Sequence, residues 1–247
     1  MKKWLEVEHI SKTFYKKNNW LKKKQYEGGI KDISFTASES IVGILGESGS
    51  GKTTLVKVIA GIERPDKTSG QIRFMGTKET TKNHVSLIFQ DYTTAINPEF
   101  TIEEALLESL EPIKNKAEAL EKIISMLERV GLSEEYLSNK ATNLSGGQIQ
   151  RVCIARSLLS DANILIFDEA FSSLDLLTTD RLLDLLLQLK QEFDLHYIFV
   201  THNLKLATYF CEEVIFLKEG QLVEAITTQE LMSTTSSYVQ ELIDAQV

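Results

Sequence analysis

The stretch Gly46-Glu47-Ser48-Gly49-Ser50-Gly51-Lys52-Thr53 constrains the chain more than any other. It fits the pattern G-x-x-x-x-G-K-[ST], whose chemistry depends on a strand, a glycine-rich turn and a helix N-terminus following one another. That setting is present. Ser40-Ile41-Val42-Gly43-Ile44-Leu45 is an apolar run of strand length, and Thr54-Leu55-Val56-Lys57-Val58-Ile59-Ala60-Gly61 carries apolar residues at helical spacing. Such a junction gathers backbone N–H groups around one concavity, which suits phosphate oxygens. Gly49 and Gly51 let the backbone come close, Lys52 would reach the β- and γ-phosphates, and the Thr53 hydroxyl would ligate Mg²⁺. The bland alternative is a Gly/Ser-rich surface loop with a chance lysine, and the flanking strand and helix argue against it.

About ninety residues later, Leu144-Ser145-Gly146-Gly147-Gln148 reads as a glycine-containing helix start able to bind an anion. Two strand ends add chemistry. Ile164-Leu165-Ile166-Phe167 runs into Asp168-Glu169, and Tyr197-Ile198-Phe199-Val200 into Thr201-His202. Asp168 suits a direct or second-sphere Mg²⁺ ligand, and Glu169 can polarise a water aimed at the γ-phosphorus. His202 could hydrogen-bond the γ-phosphate and hold that water. An acidic pair at a strand end is by itself as often an ordinary feature as a functional one; behind a phosphate-binding loop the metal reading takes over. His9, His84 and His196 read as plain surface or core residues.

Composition bounds the partners. With 247 residues, 43% of them hydrophobic, the chain can bury one large core or a core with a satellite. The formal charge of -8, from 27 basic and 35 acidic residues, argues against nucleic acid as a main partner. No apolar stretch reaches the roughly 18 residues that span a bilayer. The charged start Met1-Lys2-Lys3-Trp4 does not read as a signal peptide, so a cytoplasmic chain is expected. Cys153 and Cys211 sit in apolar contexts without CxxC spacing and read as reduced packing residues. Lys16, Lys17, Lys22, Lys23 and Lys24 around Trp20 read as a solvated hairpin tip, or as a loop that brushes anionic lipid or a partner protein.

The apolar pattern alternates between strand and helix. Trp4 to Val7, Ile33 to Phe35 and Ile41 to Ile44 read as strands of a β-rich N-terminal edge, followed by strands at Gly70 to Gly76 and Val85 to Phe89. From about Thr101 the pattern is helical, and residues 92–157 read as a helical insert. Leu174 to Phe193 is a Leu-rich helix between two buried strands, so the core is α/β with a parallel sheet whose ligands bind at the strands' C-terminal ends.

Taken together, Gly46 to Thr53, Gln90 after Leu87-Ile88-Phe89, Leu144 to Gln148, Asp168-Glu169, Ser172-Ser173-Leu174-Asp175 and His202 resemble the ATP-binding subunits of ABC transporters, in order and over nearly the whole chain. The resemblance implies an α/β fold with a RecA-like P-loop NTPase core, an N-terminal antiparallel β subdomain and an inserted α-helical subdomain. As domains it implies a single ABC ATPase over residues 1–247, with 1–91 and 158–247 forming the β edge and core and 92–157 the helical part. It implies ATP and Mg²⁺ as cofactors. Nucleotide contacts fall on Gly46, Glu47, Ser48, Gly49, Ser50, Gly51, Lys52, Thr53 and Thr54, and on Phe14 stacked against adenine, with Tyr15 as fallback and a core aromatic as the plain reading. Catalysis falls on Glu169, His202, Lys52 and Gln90, and metal binding on Thr53, Gln90 and Asp168. Ser145, Gly147 and Gln148 match the signature motif that faces nucleotide bound by an opposite subunit, and Asp175 the loop that communicates across that interface.

A narrower likeness lies in Phe89-Gln90-Asp91-Tyr92-Thr93-Thr94-Ala95-Ile96-Asn97-Pro98, which is similar to ATPases serving peptide, nickel and opine-metallophore importers. Asn203-Leu204-Lys205-Leu206-Ala207 is similar to the nickel branch, although it also reads as the start of an amphipathic packing helix. This implies a second, different ATPase chain, two membrane permeases docked near Asp91 to Thr101, an extracytoplasmic solute-binding protein, and a peripheral position on the cytoplasmic face of the membrane. Glu39-Ser40 departs from the Gly-Glu turn usual in the family, and the Cys-rich tail of some peptide-importer ATPases is missing, so no iron-sulfur cluster is expected. An exporter ATPase is the nearest rival reading. DNA-repair ATPases carry a long coiled coil between the two nucleotide motifs, and translation-factor ATPases carry two cassettes, neither of which matches this chain.

Overall fold

The computed structural model describes residues 3–16, 25–75, 85–89, 95–110 and 115–245. It divides into two compact units, residues 1–81 with 197–247, and residues 82–196.

The first unit begins with two long strands, β1 (Leu5–Lys16) and β2 (Gln25–Ala37), where sequence alternation indicates only short ones. The reason is a pair of register shifts around Ile10, with His9 and Asp32 in the left-handed region at φ 51 and 54° and His9 Nδ1 2.8 Å from Asp32 Oδ1. An irregularity of this kind reverses which face each following side chain takes, so the strict period of two is broken while the ladder continues. β4 (Gln71–Phe74) pairs antiparallel with the other side of β1, giving the order β2-β1-β4. Leu5, Val7, Ile10, Ile30 and Ile33 of this sheet are buried.

β3 (Ile41–Leu45) is buried at every position and pairs parallel with β7 (His196–Thr201) and β8 (Glu213–Lys218). β9 (Gln221–Thr227) returns antiparallel on β8, so the order is β7-β3-β8-β9. α1 (Lys52–Ile59) follows β3, α6 (Leu204–Phe210) follows β7, and α7 (Ser237–Asp244) follows β9. The edge-on ring pair Phe199–Phe210, with centroids 4.8 Å apart, packs α6 against β7.

The second unit holds β5 (Val85–Phe89) and β6 (Ile164–Asp168), paired parallel from Val85↔Ile164 to Phe89↔Asp168. Its helices are α2 (Ile102–Leu107), α3 (Lys116–Arg129), α4 (Gly146–Leu159) and α5 (Leu176–Phe193). Each starts at a residue whose side chain accepts a first-turn N–H, namely Thr101, Asn115, Ser145 and Asp175. The cap at Asp175 is why α5 begins at Leu176, two residues after the start of its Leu-rich pattern. α3 buries Ala119, Ile123 and Leu127, one per turn, as its periodicity indicates. α4 differs in burying Ile149, Val152, Cys153, Ile154, Ala155, Leu158 and Leu159, which lie all round the helix and make it the unit's central one.

Candidate functional site

In the first unit Leu45 and Thr201 are paired neighbours at the C-terminal ends of two parallel strands. The chain leaves one at Gly46 and the other at His202, so both emerge at the same sheet edge. His202 is exposed there, between buried Thr201 and Asn203, whose side chain caps α6 by accepting the Leu206 N–H at 3.1 Å. On the other side Gly51, at φ 101°, opens α1 without any side-chain cap. A helix end of that kind leaves its amides for an anion.

Lys52 is 5% exposed and donates to the carbonyls of Gly46 (2.8 Å) and Glu47 (2.9 Å), which curls the loop around its ammonium. Thr53, Glu47, Ser48 and Gly49 are exposed, while the Ser50 hydroxyl is buried and has no hydrogen-bond partner among the described residues. An orphaned hydroxyl inside a phosphate-type loop is a polar atom kept dry without compensation in the protein itself.

The loop is held in shape by a segment that nothing in the sequence pattern ties to it. The β8–β9 hairpin turns at Glu219-Gly220, both with positive φ (50 and 77°), and the Gly220 N–H donates to Ser50 O at 3.0 Å. The Gly220 carbonyl accepts from Lys31 N at 2.7 Å. One residue pair earlier, the Leu217 carbonyl lies so close to Gly46 that a Cβ there would stand 2.2 Å from it. Tyr238, on α7, completes the support. Its buried hydroxyl donates to Leu217 O at 3.3 Å and accepts the Glu47 backbone N–H, and Lys218 Nζ sits 4.5 Å from the ring centroid. Burial pushes the phenol upward, against the pull of that N–H. The hairpin was legible in principle: an apolar strand pattern, then Lys218-Glu219-Gly220-Gln221, is a two-residue turn signal.

Phe14 is half-buried near the end of β1, with Lys12 Nζ 5.3 Å from its ring, and Tyr15 is 52% exposed. Both are therefore accessible aromatics rather than core residues.

In the second unit Asp168 ends β6 and is 6% exposed, followed by half-buried Glu169. Glu169 adopts φ 52°, an unusual conformation for a residue with a side chain, of the kind that concentrates at functional sites. Its carbonyl accepts from the Ser172 N–H (3.1 Å) and hydroxyl (2.9 Å). The signature residues form a reciprocal capping box: Gln148 N–H to Ser145 Oγ at 3.4 Å and Ser145 N–H to Gln148 Oε1 at 2.9 Å. Capping uses a lone pair of the exposed Ser145 hydroxyl and leaves its O–H able to donate. Gln148 is further fixed by donating to Tyr136 OH at 2.8 Å. A Cβ on Gly147 would meet Thr178 Cγ2 at 2.8 Å, so with glycine here α4 approaches the start of α5 without moving the Thr178 side chain. There Asp175 accepts from Thr178 N and Oγ1, at 3.0 and 2.6 Å, and the hydroxyl bond holds its carboxyl below the ordinary range. Gln90 and Asp91 to Thr94 lie outside the described residues, as do residues 17–24 of the Lys-rich loop.

A loop that curls round a lysine at a parallel-sheet edge, a signature helix and a strand ending in two carboxylates coincide with a family match. The family described as "ABC transporter" matches residues 30–172, more than half the chain. The chain belongs to the ABC transporter family. This ABC ATPase is similar to CntF, the ATP-binding protein of a metal-staphylopine import system in Staphylococcus aureus, at 38% identity over 223 residues, 88% of this chain and 90% of that one. It is also similar to NikE, a nickel import ATP-binding protein of Escherichia coli, at 34% identity over 226 residues, 87% and 84% of the two chains. Among solved structures, cbiO1 of Clostridium perfringens, part of the ABC transporter complex cbiONQ, shares the fold over the full length of both chains with a TM-score of 0.77 at 21% identity. The bacterial ABC transporter cassette MJ0796, solved as a dimer in a post-hydrolysis state with ADP and Pi, aligns with a TM-score of 0.72 at 26% identity, over 91% of this chain and 98% of that one. As a member of this family the ABC ATPase binds ATP and hydrolyses it. Among its described residues no helix is long and apolar enough to cross a membrane.

Proposed function

We propose that this ABC ATPase energises the import of nickel or another transition metal, free or held by a small chelator. One observation carries the cargo class: the relatives at 38% and 34% identity, matched over nearly the whole chain, are named for metal-staphylopine and nickel import. Peptide cargo, suggested by the Phe89 to Pro98 stretch, has no such support.

In this reading Gly46 to Thr54 cradle the phosphates and Phe14 stacks on adenine. Lys52 neutralises charge that develops at the γ-phosphate, Glu169 polarises the attacking water, and His202 keeps water and carboxylate in line. The side chains of Thr53 and Asp168 offer a hydroxyl and a carboxylate, oxygen donors that suit Mg²⁺, with Gln90 as a third. The ion, when bound, would supply charge neutralisation on the phosphates. Gln90 also links the nucleotide to the helical segment 92–157, and Ser145, Gly147 and Gln148 serve the nucleotide of a second, different ATPase subunit. Two permeases docked near Asp91 to Thr101, a solute-binding protein outside and a peripheral position on the cytoplasmic face complete the assembly.

The test is reconstitution of the chain with its partner ATPase, permeases and binding protein in liposomes. ATP-dependent uptake of nickel, or of a nickel–chelator complex, is expected, and Glu169→Gln should abolish turnover while leaving an ATP-bound closed dimer. ATP-driven uptake of a peptide and of no metal overturns the cargo assignment. Undiminished turnover in Glu169→Gln overturns the role of that carboxylate.

A further inference from the structure

One buried side chain joins the signature helix to the turn that presents Glu169. Gln150, five residues after the Ser145 cap of α4, is 0% exposed. Its Nε2 donates to the Ala170 carbonyl at 3.0 Å, and its Oε1 has no hydrogen-bond partner among the described residues. The amide cannot be turned over, because that would set its oxygen against the Ala170 oxygen. Packing does not explain a glutamine here: methionine would fill a similar volume without burying an idle polar atom. The bond to Ala170 is what the amide adds.

Ala170 directly follows Glu169, the residue held at φ 52°. A left-handed conformation at a residue with a Cβ persists when its surroundings over-determine it. Two successive carbonyls of this turn are held, Glu169 O by the two donors of Ser172 and Ala170 O by Gln150. Ser172 belongs to the turn itself. Phe171 packs its ring on Phe167 of β6, with centroids 5.6 Å apart, and Gln150 ties the same turn to α4 by a hydrogen bond.

We propose that Gln150 is a positioning residue for Glu169, a strut by which a movement of the signature helix is passed to the carboxylate that activates water. The inference rests on the reading of Glu169 given above. Because Ser145 caps α4, the strut also makes the motif that serves the neighbouring subunit's nucleotide and the carboxylate that serves the chain's own move as one body.

The experiment compares Gln150→Met and Gln150→Glu with the unaltered chain in the assembled transporter, measuring kcat and KM for ATP across pH, with Glu169→Gln as reference. Gln150→Met removes the donor and keeps the volume; its kcat should fall roughly ten- to a hundredfold, as misplacement of a catalytic group does, with KM little changed. Gln150→Glu can donate to Ala170 O only when protonated, so its kcat relative to the unaltered chain should recover as pH falls. Gln150→Met at full kcat beside an inactive Glu169→Gln overturns the proposal, as do equal losses in both Gln150 variants at every pH, which would indicate packing alone. If Glu169→Gln itself turns over normally, the underlying reading of Glu169 has failed instead.

Discussion

Gly147 and Cys153 carry information that their identities alone do not give. Gly147 is a signature residue, and the structure gives it a second duty in the approach of α4 to Thr178. Gly147→Ala gains helix propensity of about 1 kcal/mol at most but must displace the Thr178 side chain, and overpacking of this kind costs about 1–3 kcal/mol. A net loss of about 1 kcal/mol in urea unfolding is expected; an unchanged or raised midpoint would show that Thr178 yields freely. Burial pushes the Cys153 thiol up to about 11, and Cys211 is raised further in the same direction. A group whose folded value lies above its unfolded one keeps its stabilising contribution below the unfolded value and loses it as pH rises through the folded one. The folded chain should therefore lose stability between about pH 9 and 11, and neither cysteine should react with a thiol reagent at pH 8 unless the chain is unfolded. Rapid labelling of the native protein would contradict this burial. Both residues read from sequence as packing thiols, and both are free and buried.

Among the elements, those with a strong period were legible and those set by an irregularity were not. α3 and α5 followed from apolar spacing, and β3, β6 and β7 from uninterrupted apolar runs. β1 and β2 were legible only in pieces, because the shifts at Ile10 break the alternation that marks a strand. The placement of Gly46 to Thr53, Ser145, Asp168 and His202 was legible because each lies at a strand end or helix start; the contacts of Gly220, Leu217 and Tyr238 with the Gly46 loop were not, because they come from far along the chain. The same holds for Gln150, whose contact partner is fixed only by packing. That support makes its own prediction. Tyr238→Phe strips a hydroxyl from Leu217 O and the Glu47 N–H while leaving the ring in place. Loosening the loop by about 1 kcal/mol should weaken ATP binding about fivefold with little effect on kcat, as read by equilibrium titration and steady-state kinetics. An unaltered ATP affinity would show that the hairpin alone suffices.

For the whole molecule, the proposed sharing of each nucleotide between two subunits predicts a rate law. The specific ATPase activity of the purified chain should rise with its concentration and rise again on adding the partner ATPase, because the signature of one subunit completes the site of the other. Full, concentration-independent turnover by a monomer in a gel-filtration-controlled assay would exclude sharing. Leu176 and Leu177, 76% and 69% exposed just after Asp175, are where such a contact would first be detected by protection from solvent exchange. The reach of Tyr238 to the loop at Gly46 has a further consequence, in the order of synthesis. Almost two hundred residues separate them, so at about 5–20 residues per second the ribosome releases the nucleotide loop roughly 10–40 s before its last support. A nascent cassette gains this support of the Gly46 loop only once α7 has been made, and a chain cut short before α7 should emerge with the loop intact in sequence yet weakened in its hold on nucleotide.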